Sequence, residues 1–424
     1  MKRELLLLLG CTALFANATV SNVAVTQHAV TKVVEVTYDF VGETAAYVTV
    51  AVKTNGAAVA RTLTVSGDVS TFRDPKTVEP GMVKKIRWFA AADCADLEGA
   101  TVTAEVSEWA VDGEPPAQIA KWAMLDLSAG KDAATYPVTF SMTGPDLTND
   151  ACRTTNVWFR HIPAGSFQMG RGDGTDGDGW YDWQLTGTHG VTLTRDFYAG
   201  IFECTQRQYY EVTGLKPSYY TNPSCWEVRP VENITWARVH EGADGNMRSE
   251  TWPFVRVPGE TSFMGKLRAR TDLAFNLPTE AQWEYACRAG TISTWYDGSN
   301  PTTNLESNAA LNLLARYKTN NGGTDANSDL TSGGTTKVGS YVPNAWGLYD
   351  LYGNVSEMTL DRNAGYTYDW QTDPVGGTTS VYRIYRGGGA FDAAGNCRST
   401  FRGTALTQTA QNGRLGFRIF FTLE

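Results

Sequence analysis

Short apolar runs separated by turn residues fill the first part of the chain. In Val33–Phe40 the β-branched and aromatic residues are interrupted by single polar positions. This alternation, with Gly-containing turns such as Asn55-Gly56 between the runs, predicts short β-strands. The predicted strands are Val33–Phe40, Ala46–Val52, Ala60–Val65, Val83–Ala90 and Ala100–Glu108. Several short strands in so few residues are typical of a sandwich. Residues 19–112 are therefore predicted to form a β-sandwich module, and the lack of visible site chemistry there favours a spacer over an adhesive role.

The pattern changes after residue 112. Gly113 and Pro115-Pro116 block strand pairing and stiffen the chain. Residues 113–121 are therefore predicted to be a linker. Residues 122–424 mix short strands, modest helices and long loops rich in Gly, Asn, Asp and Thr. The predicted fold class is α+β, with the N-terminal β-sandwich module followed by a second, irregular domain.

Helix starts are legible in this second domain. Thr205 with Gln208, and Thr279 with Gln282, have the spacing of capping boxes, in which a Thr hydroxyl and a Gln side chain satisfy backbone N–H groups. Thr235-Trp236 predicts a third start. So little regular structure in about 300 residues indicates loops held by caps, aromatic packing and metal.

The N-terminus carries an export signal. Lys2 and Arg3 precede the apolar run Leu5–Phe15, and Ala16-Asn17-Ala18 supplies small residues for cleavage. The run is shorter than the ~20 apolar residues that a spanning helix needs. Residues 1–18 are therefore predicted to be a signal peptide, and the protein is expected to be exported: secreted, periplasmic or at the cell surface. Attachment of a lipid to Cys11 is the alternative.

Composition narrows the partners. The 424 residues are 42% hydrophobic and 19% charged, which excludes a disordered chain. The net charge of −9 and the lack of basic runs argue against nucleic acid. The chain is expected to have no membrane-spanning segment and to be a monomer. Six of the seven cysteines follow the predicted signal peptide. These six could form disulfides, whose pairing the sequence does not determine, or could be buried free thiols, and both alternatives stay open.

Ordered sequence blocks run through the second domain. They are Ile162–Gly170, Ile201–Gln206, Pro230–Trp236, Leu277–Ala286, Asn344–Glu357 and a closing group made of Arg386–Gly388, Cys397–Ser399 and Gly416–Arg418. Together they resemble the formylglycine-generating enzyme family, also called the sulfatase-modifying factor domain. The resemblance implies an irregular C-type-lectin-like fold for residues 122–424.

The resemblance also defines the chemistry to look for. Enzymes of this family oxidise a sulfatase cysteine with copper held by two cysteines five residues apart. Cys397 matches the second position, but Asp392 occupies the first. A hard carboxylate cannot replace a thiolate in a two-coordinate Cu(I) site. No copper is therefore expected, the reaction is predicted to be absent, and Cys397 is interpreted as a buried structural thiol.

Other relatives hold non-haem iron with three histidines. Here the four histidines are widely spaced and form no HxxxH pair, so they are predicted to be surface or loop residues and no iron is expected. They are His28, His161, His189 and His240.

Calcium is the metal that the resemblance implies. The family ligands correspond to the side chains of Asp350 and Glu357 and the carbonyl groups of Gly353 and Val355. Hard oxygen ligands from a tight turn suit Ca²⁺. Ser356 stands where the family usually has Trp, which weakens packing at the site. A capped turn without metal is the alternative.

The loops near the closing blocks are the predicted contact surface. They combine small residues, single aromatic residues and a run rich in Thr, Gln and Asn, and the same positions are diversified for binding in some relatives. The candidate contact residues are Phe391, Asp392, Asn396, Phe401, Gln408 and Asn412. Tolerant loops without a binding role are the alternative.

These observations lead to one functional expectation and one main alternative. The protein is expected to be an exported, non-catalytic binding protein that presents a lectin-like head to an extracellular protein or glycan. The alternative is a metal-dependent oxidoreductase of the sulfatase-modifying type. A structural part of the cell wall or matrix is a third hypothesis, supported by the export signal alone.

Overall fold

The computed structural model describes residues 19–28, 32–59, 63–71, 73–93, 100–111, 113–170, 188–242, 257–300, 306–377, 380–407 and 409–423. The chain divides into two compact units, Met1–Ile119 and Ala120–Glu424. Each unit has its own hydrophobic core. The predicted signal peptide with Cys11, and the candidate contact residue Gln408, lie outside the described residues.

Strands dominate the described part of the first unit. They are β1 (Thr19–His28), β2 (Val33–Val41), β3 (Tyr47–Thr54), β4 (Ala57–Ala58), β5 (Val65–Gly67), β6 (Gly81–Phe89) and β7 (Val102–Trp109), with helix α1 (Ala90–Asp93) before the last. Two antiparallel sheets result, in the orders β1-β2-β6-β5 and β4-β3-β7. Val34 and Val36 of β2 share one core with Val48 and Val52 of β3, because alternate side chains of a strand point to the same face.

Of the predicted strand Ala60–Val65, residues 60–62 lie outside the described residues, and only Val65 of the remainder belongs to a strand. Asn55 and Gly56 have φ angles of 49° and 80°, as in the two-residue turn that favours a hairpin. The chain therefore folds back at once, and β4 pairs with the end of β3. A separate strand, β5, begins only at Val65 and pairs with β6.

The second unit is a mixed α/β structure made mostly of strands. Its strands are β8 (Trp122–Asp126), β9 (Val138–Ser141), β10 (Asn156–Ile162), β11 (Gly165–Met169), β12 (His189–Leu193), β13 (Phe197–Gly200), β14 (Ala274–Asn276), β15 (Ser356–Arg362), β16 (Gln371–Thr372), β17 (Tyr382–Arg386), β18 (Arg402–Thr407), β19 (Leu415–Gly416) and β20 (Phe420–Thr422). Its α-helices are α2 (Gln206–Thr213), α3 (Phe263–Thr271), α4 (Glu280–Arg288) and α5 (Leu311–Leu314).

Three sheets organise these strands. An antiparallel sheet has the order β14-β20-β13-β10-β8-β9, and two smaller mixed sheets have the orders β11-β12-β16 and β18-β17-β15-β19. The pairs β12–β16 and β15–β19 are parallel. Long connections run between these strands.

Helix starts follow the predicted caps. Both capping boxes are confirmed, because in each the Thr hydroxyl accepts from the third helical N–H and the Gln side chain accepts from the Thr backbone. Helix α3 was not predicted; it begins after Ser262, whose hydroxyl accepts from the Gly265 N–H. The Thr235-Trp236 start leads into a π-helical turn, Ala237–Glu241.

Within the described ranges no helix has both the length and the hydropathy to cross a bilayer.

The prediction that the histidines are surface or loop residues is wrong for three of them. His161, His189 and His240 are buried, not exposed, because aromatic rings cover them: His161 stacks on Tyr198 and His240 on Trp236. The side chain of His28 lies outside the described residues. Across the part of the chain that the structure describes, no group of three His, Cys, Asp or Glu residues is arranged to hold a metal ion.

The described cysteines are all free thiols, and four of them are buried. The four buried cysteines are Cys152, Cys204, Cys287 and Cys397, and the fifth, Cys225, is partly exposed. For these five residues, the alternative of free thiols therefore applies. Cys94 lies outside the described residues.

Candidate functional site

The turn before β15 has a fixed and unusual backbone. Asp350, Gly353 and Asn354 have φ angles of 54°, 74° and 55°. Gly353 cannot carry a side chain, because a Cβ atom there would lie 2.1 Å from the carbonyl oxygen of Arg316. The Asn354 N–H donates to the same oxygen over 2.7 Å. The predicted calcium ligands therefore lie in and just after a turn whose shape is set by close backbone contact.

Glu357 of β15 is fully engaged by neighbouring donors. Arg418 donates to both of its carboxylate oxygens, with Nη2 at 2.6 Å from Oε1 and Nε at 3.0 Å from Oε2. The indole N–H of Trp283 donates to Oε2 over 2.8 Å. All three side chains are buried. Such a bidentate Arg–carboxylate pair is geometrically specific and charge-assisted.

Two further carboxylates lie close to this pair. Asp350 Oδ2 accepts the Gly339 N–H, whereas Oδ1 is buried without a hydrogen-bond donor. Glu203 accepts from the Asn354 side chain over 2.7 Å and from the Val355 N–H over 2.9 Å. Burial raises the pKa of Asp350 to about 6, and burial together with the charge of Asp350 raises the pKa of Glu203.

The charge balance of this cluster bears on calcium. Three carboxylates, those of Glu203, Asp350 and Glu357, face the guanidinium of Arg418, and the charge of Arg153 also acts on Asp350. Asp350 Oδ1 is an unused hard oxygen acceptor, the kind of ligand that Ca²⁺ prefers. Glu357 would have to share its oxygens with Arg418. A hard cation would find a free acceptor in Asp350 Oδ1, although the described residues include no group of three His, Cys, Asp or Glu side chains arranged to hold a metal ion.

A second network of buried ion pairs holds the segment Arg386–Gly388. Arg386 and Arg402 are opposite one another on β17 and β18, where two like charges would repel. Helix α4 supplies the compensating carboxylates: Glu284 accepts from Arg386, and Glu280 accepts from Arg402 Nε over 2.8 Å. The network therefore joins α4 to the strand from which the following glycines emerge.

Asp392 and Cys397, the degenerate copper positions, lie against consecutive glycines of this block. Asp392 Oδ2 accepts the Gly389 N–H over 2.8 Å. A Cβ atom on Gly388 would lie 2.9 Å from Cys397 Sγ. Cys397 is fully buried, and burial raises the pKa of its thiol well above the usual value. The predicted burial of Cys397 is confirmed.

Phe391 and Arg414 form the centre of the predicted contact surface. The Phe391 ring stacks on Tyr220 at a centroid distance of 6.2 Å, and the Arg414 guanidinium lies over Phe391 at 5.1 Å. Arg414 Nη1 also lies 3.9 Å from Asp392 Oδ1. The aromatic ring, the cation and the carboxylate are therefore neighbours at one place.

The other described candidates are distributed around this centre. Asn412 Oδ1 accepts the Arg414 N–H over 3.0 Å. Phe401 contacts Tyr385, whose pKa is raised by burial and by the charge of Asp392. The carbonyl oxygen of Asn396 lies beside the backbone of Gly388.

Sequence reasoning missed two aromatic residues that pack against this surface, the buried Tyr220 and the partly buried Tyr385. Arg414 ends the run rich in Thr, Gln and Asn that was predicted to contribute to the contact surface. No local pattern marks Tyr220, which is brought to Phe391 from a distant part of the chain.

Comparisons with known proteins agree with this organisation. The family model of the sulfatase-modifying factor enzyme 1-like domain matches residues 145–423. Chaperone protein LppX of Paenibacillus barcinonensis is 28% identical over 228 residues, which cover 50% of this chain and 75% of that protein. The formylglycine-generating enzyme of Mus musculus is 28% identical over 194 residues, 45% of this chain. The matched region spans about half of the mouse enzyme, 49% of its length.

Among solved structures, Treponema denticola variable protein 1 is 24% identical, and the match covers 63% of this chain and 96% of that protein with a TM-score of 0.47. The family assignment depends on the matched family model, which covers more than half of the chain. This chain belongs to the family of proteins that contain the sulfatase-modifying factor enzyme 1-like domain.

Proposed function

We propose that this protein is an exported, non-catalytic ligand-binding protein whose contact surface is centred on Phe391, Asp392 and Arg414. The observation that carries the proposal is the occupant of the first copper position. Asp392 presents a carboxylate there and is held by the Gly389 N–H. A carboxylate does not provide the second soft ligand that Cu(I) chemistry requires.

The state of Cys397 supports the same proposal. The thiolate, not the thiol, is the nucleophile and the metal ligand. Burial raises the pKa of Cys397 well above its usual value, so the protonated thiol predominates at neutral pH. A protonated, enclosed sulfur with no second thiol beside it among the described residues is suited to packing and not to copper binding.

The composition of the contact surface supports recognition. Phe391 and Arg414 present an aromatic and a cationic group side by side, with the buried Tyr220 stacked on Phe391, and aromatic residues and arginine are the residue types enriched in binding hot spots. Buried ion pairs hold the strands on which these loops are mounted. A rigid scaffold that carries variable loops is the usual arrangement of a recognition surface. The ligand class is an extracellular protein or glycan.

The remaining parts have supporting roles in this proposal. The two sheets of the first unit would form a β-sandwich spacer, and the second unit would be the lectin-like head. Calcium would be structural, held by Asp350, Glu357 and the carbonyl groups of Gly353 and Val355. The unused Asp350 Oδ1 supports calcium, whereas the engagement of Glu357 by Arg418 weakens that support.

A peptide assay separates this proposal from the oxidoreductase alternative. Purified protein is incubated with copper, oxygen and a sulfatase-type Cys-x-Pro-x-Arg peptide, and the peptide is then weighed by mass spectrometry. An active formylglycine-generating enzyme serves as the positive control. The expected result is an unchanged peptide mass. The mass loss that accompanies oxidation of cysteine to formylglycine would establish the alternative.

Binding is tested with arrayed glycans and displayed peptides. The wild-type chain is expected to bind at least one probe saturably, and the F391A and R414A variants are expected to lose that binding. Variant K131A changes an exposed residue with an exposed ion-pair partner, Asp132, and serves as the matched control. Equal binding of every glycan and peptide probe by wild type and F391A would contradict the assigned surface.

A further inference from the structure

Trp370 is an exposed indole held in one orientation. It lies just before β16 and is 59% exposed. Its Nε1–H donates to Thr192 Oγ1 over 2.8 Å. A side chain of this size that is both exposed and hydrogen-bonded presents a large apolar surface to solvent with little conformational freedom.

Gly190 of β12 provides the seat for this ring. A Cβ atom on Gly190 would lie 2.0, 2.3 and 2.4 Å from Cε3, Cζ3 and Cδ2 of Trp370. Nearly equal distances to three bonded ring atoms mean that the six-membered ring lies flat over the glycine. Any side chain at Gly190 would lift the ring, so the flat arrangement depends on glycine.

The segment that carries Trp370 is fixed on both sides. Before it, the Tyr366 hydroxyl donates to Glu280 Oε1 over 2.9 Å. After it, β16 pairs in parallel with β12, and Asp373 accepts the Thr194 N–H over 2.8 Å. The indole is therefore positioned before any ligand arrives, which lowers the entropic cost of binding.

Uncharged polar groups surround the ring on the same sheet face. Gln168 is opposite Gly190 in the β11–β12 register, and Ser166 is opposite Thr192. Ser166 and Thr192 are hydrogen-bonded over 2.9 Å, and Ser166 and Gln168 are exposed. Thr372 is exposed and in register with Thr192 from the other side.

We propose that this face, defined by Trp370, Gln168, Ser166, Thr192 and Thr372, binds a pyranose ring of a neutral glycan. The C–H groups on the apolar face of a sugar carry partial positive charge and match the negative face of an indole. Hydroxyl and amide side chains beside the ring supply donors and acceptors for the sugar hydroxyls. The five side chains carry no charge, which favours a neutral sugar over an acidic or basic partner.

This site is separate from the contact surface of Phe391 and Arg414. It lies on the β11-β12-β16 sheet, whereas that surface lies at the loops between β17 and β19. The two proposals therefore fail independently: F391A is expected to leave glycan binding at Trp370 unchanged.

Affinity electrophoresis tests the site with three neutral polysaccharides: laminarin, galactomannan and hydroxyethyl cellulose. We expect at least one of them to retard the wild-type protein. W370A is expected to weaken that retardation about tenfold or more, the effect of removing a central aromatic anchor. G190A keeps the indole but removes its seat, and is expected to weaken binding as well.

Trp109 provides a matched control. It is also a partly exposed tryptophan, and its Nε1–H donates to the Thr49 hydroxyl over 2.9 Å on the β3–β7 sheet. W109A is expected to leave the retardation unchanged. Thermal unfolding is measured for every variant to confirm folding. Lack of retardation with all three polysaccharides, or equal retardation of wild type and folded W370A, would overturn the proposal and leave a protein partner as the alternative.

Discussion

Arg418 and Glu357 form an ion pair that is almost fully buried, with exposed fractions of 0% and 1%. Arg418 also donates to the carbonyl oxygens of Gly200 over 3.0 Å and Tyr349 over 2.7 Å. One guanidinium thereby ties the C-terminal segment to β15, to the end of β13 and to the turn at Asp350. The pair is the point at which the candidate calcium site and the core of the second unit meet.

Removing one partner of this pair should destabilise the second unit strongly. R418M leaves Glu357 buried without its counter-charge, and the expected loss is about 3–5 kcal/mol of unfolding free energy. Urea unfolding followed by tryptophan fluorescence measures it. The double variant R418M/E357M should recover part of the loss, because no unpaired charge then stays buried.

An exposed ion pair gives the comparison. Lys318 and Glu306 are 2.8 Å apart, but about half of each side chain is exposed. K318A should change the unfolding free energy by less than about 1 kcal/mol. Equal effects of R418M and K318A would contradict the role assigned to the buried pair.

Calcium should stabilise the second unit through Asp350. Its Oδ1 is buried without a donor, and a cation that binds only the folded state raises the unfolding temperature. We expect EDTA to lower the melting temperature of the wild type and added Ca²⁺ to restore it. D350N should remove this response, whereas D132N, at an exposed position, should retain it. A wild-type melting temperature that ignores both EDTA and Ca²⁺ would support the turn without metal.

Ionisation of Glu232 should lower the unfolding free energy as the pH rises. Burial raises its pKa from 4.5 to about 7, against the lowering effect of the Tyr219 and Tyr220 N–H groups that it accepts. The folded state therefore holds a proton that the unfolded state releases between about pH 4.5 and 7, and stability is lost across that window. The E232Q variant lacks this titrating group. The unfolding free energy of E232Q minus that of wild type should therefore rise with pH, by at most about 3 kcal/mol.

Urea unfolding at a series of pH values, in the presence of EDTA, measures this difference. Asp350 also has a raised pKa, but it is present in both proteins and cancels from the comparison. A constant difference between E232Q and wild type from pH 4.5 to 8 would show that the Glu232 carboxyl titrates normally.

Replacing Asp392 by cysteine should create a copper site. Asp392 and Cys397 lie against consecutive glycines, Gly389 and Gly388, so D392C would present a second thiol near the first. We expect D392C to retain Cu(I) against a chromogenic chelator, while wild type and D392S release it. Equal retention by wild type and D392C would mean that Asp392 is not what prevents copper binding.

Local features of the fold could be predicted from the sequence. The predicted strand Val33–Phe40 matches β2 (Val33–Val41) within one residue, and both capping boxes are present. Strand alternation and capping act over a few residues, so the sequence contains the information directly. The predicted turn at Asn55-Gly56 is present and joins β3 to β4.

Contacts between distant residues could not be predicted in the same way. Glu203 accepts the Val355 N–H, and Tyr220 stacks on Phe391. The members of each pair are more than 150 residues apart in the chain, and no short-range preference specifies such a meeting. The candidate site was therefore predicted in part: Phe391 and Asp392 came from their position near the closing blocks, but their partners did not.

The sequence alone determined the blocks of the family, the helix caps, most strands of the first unit and the presence of an aspartate at the first copper position. Those features depend on residue identity and on backbone preferences within a few positions. Only the tertiary structure decided that three histidines are buried, that the described cysteines are unbridged, that Arg418 pairs with Glu357 and that Trp370 lies flat on Gly190. The reason is that burial and pairing depend on the path of the whole chain, because packing brings together groups that local geometry leaves far apart.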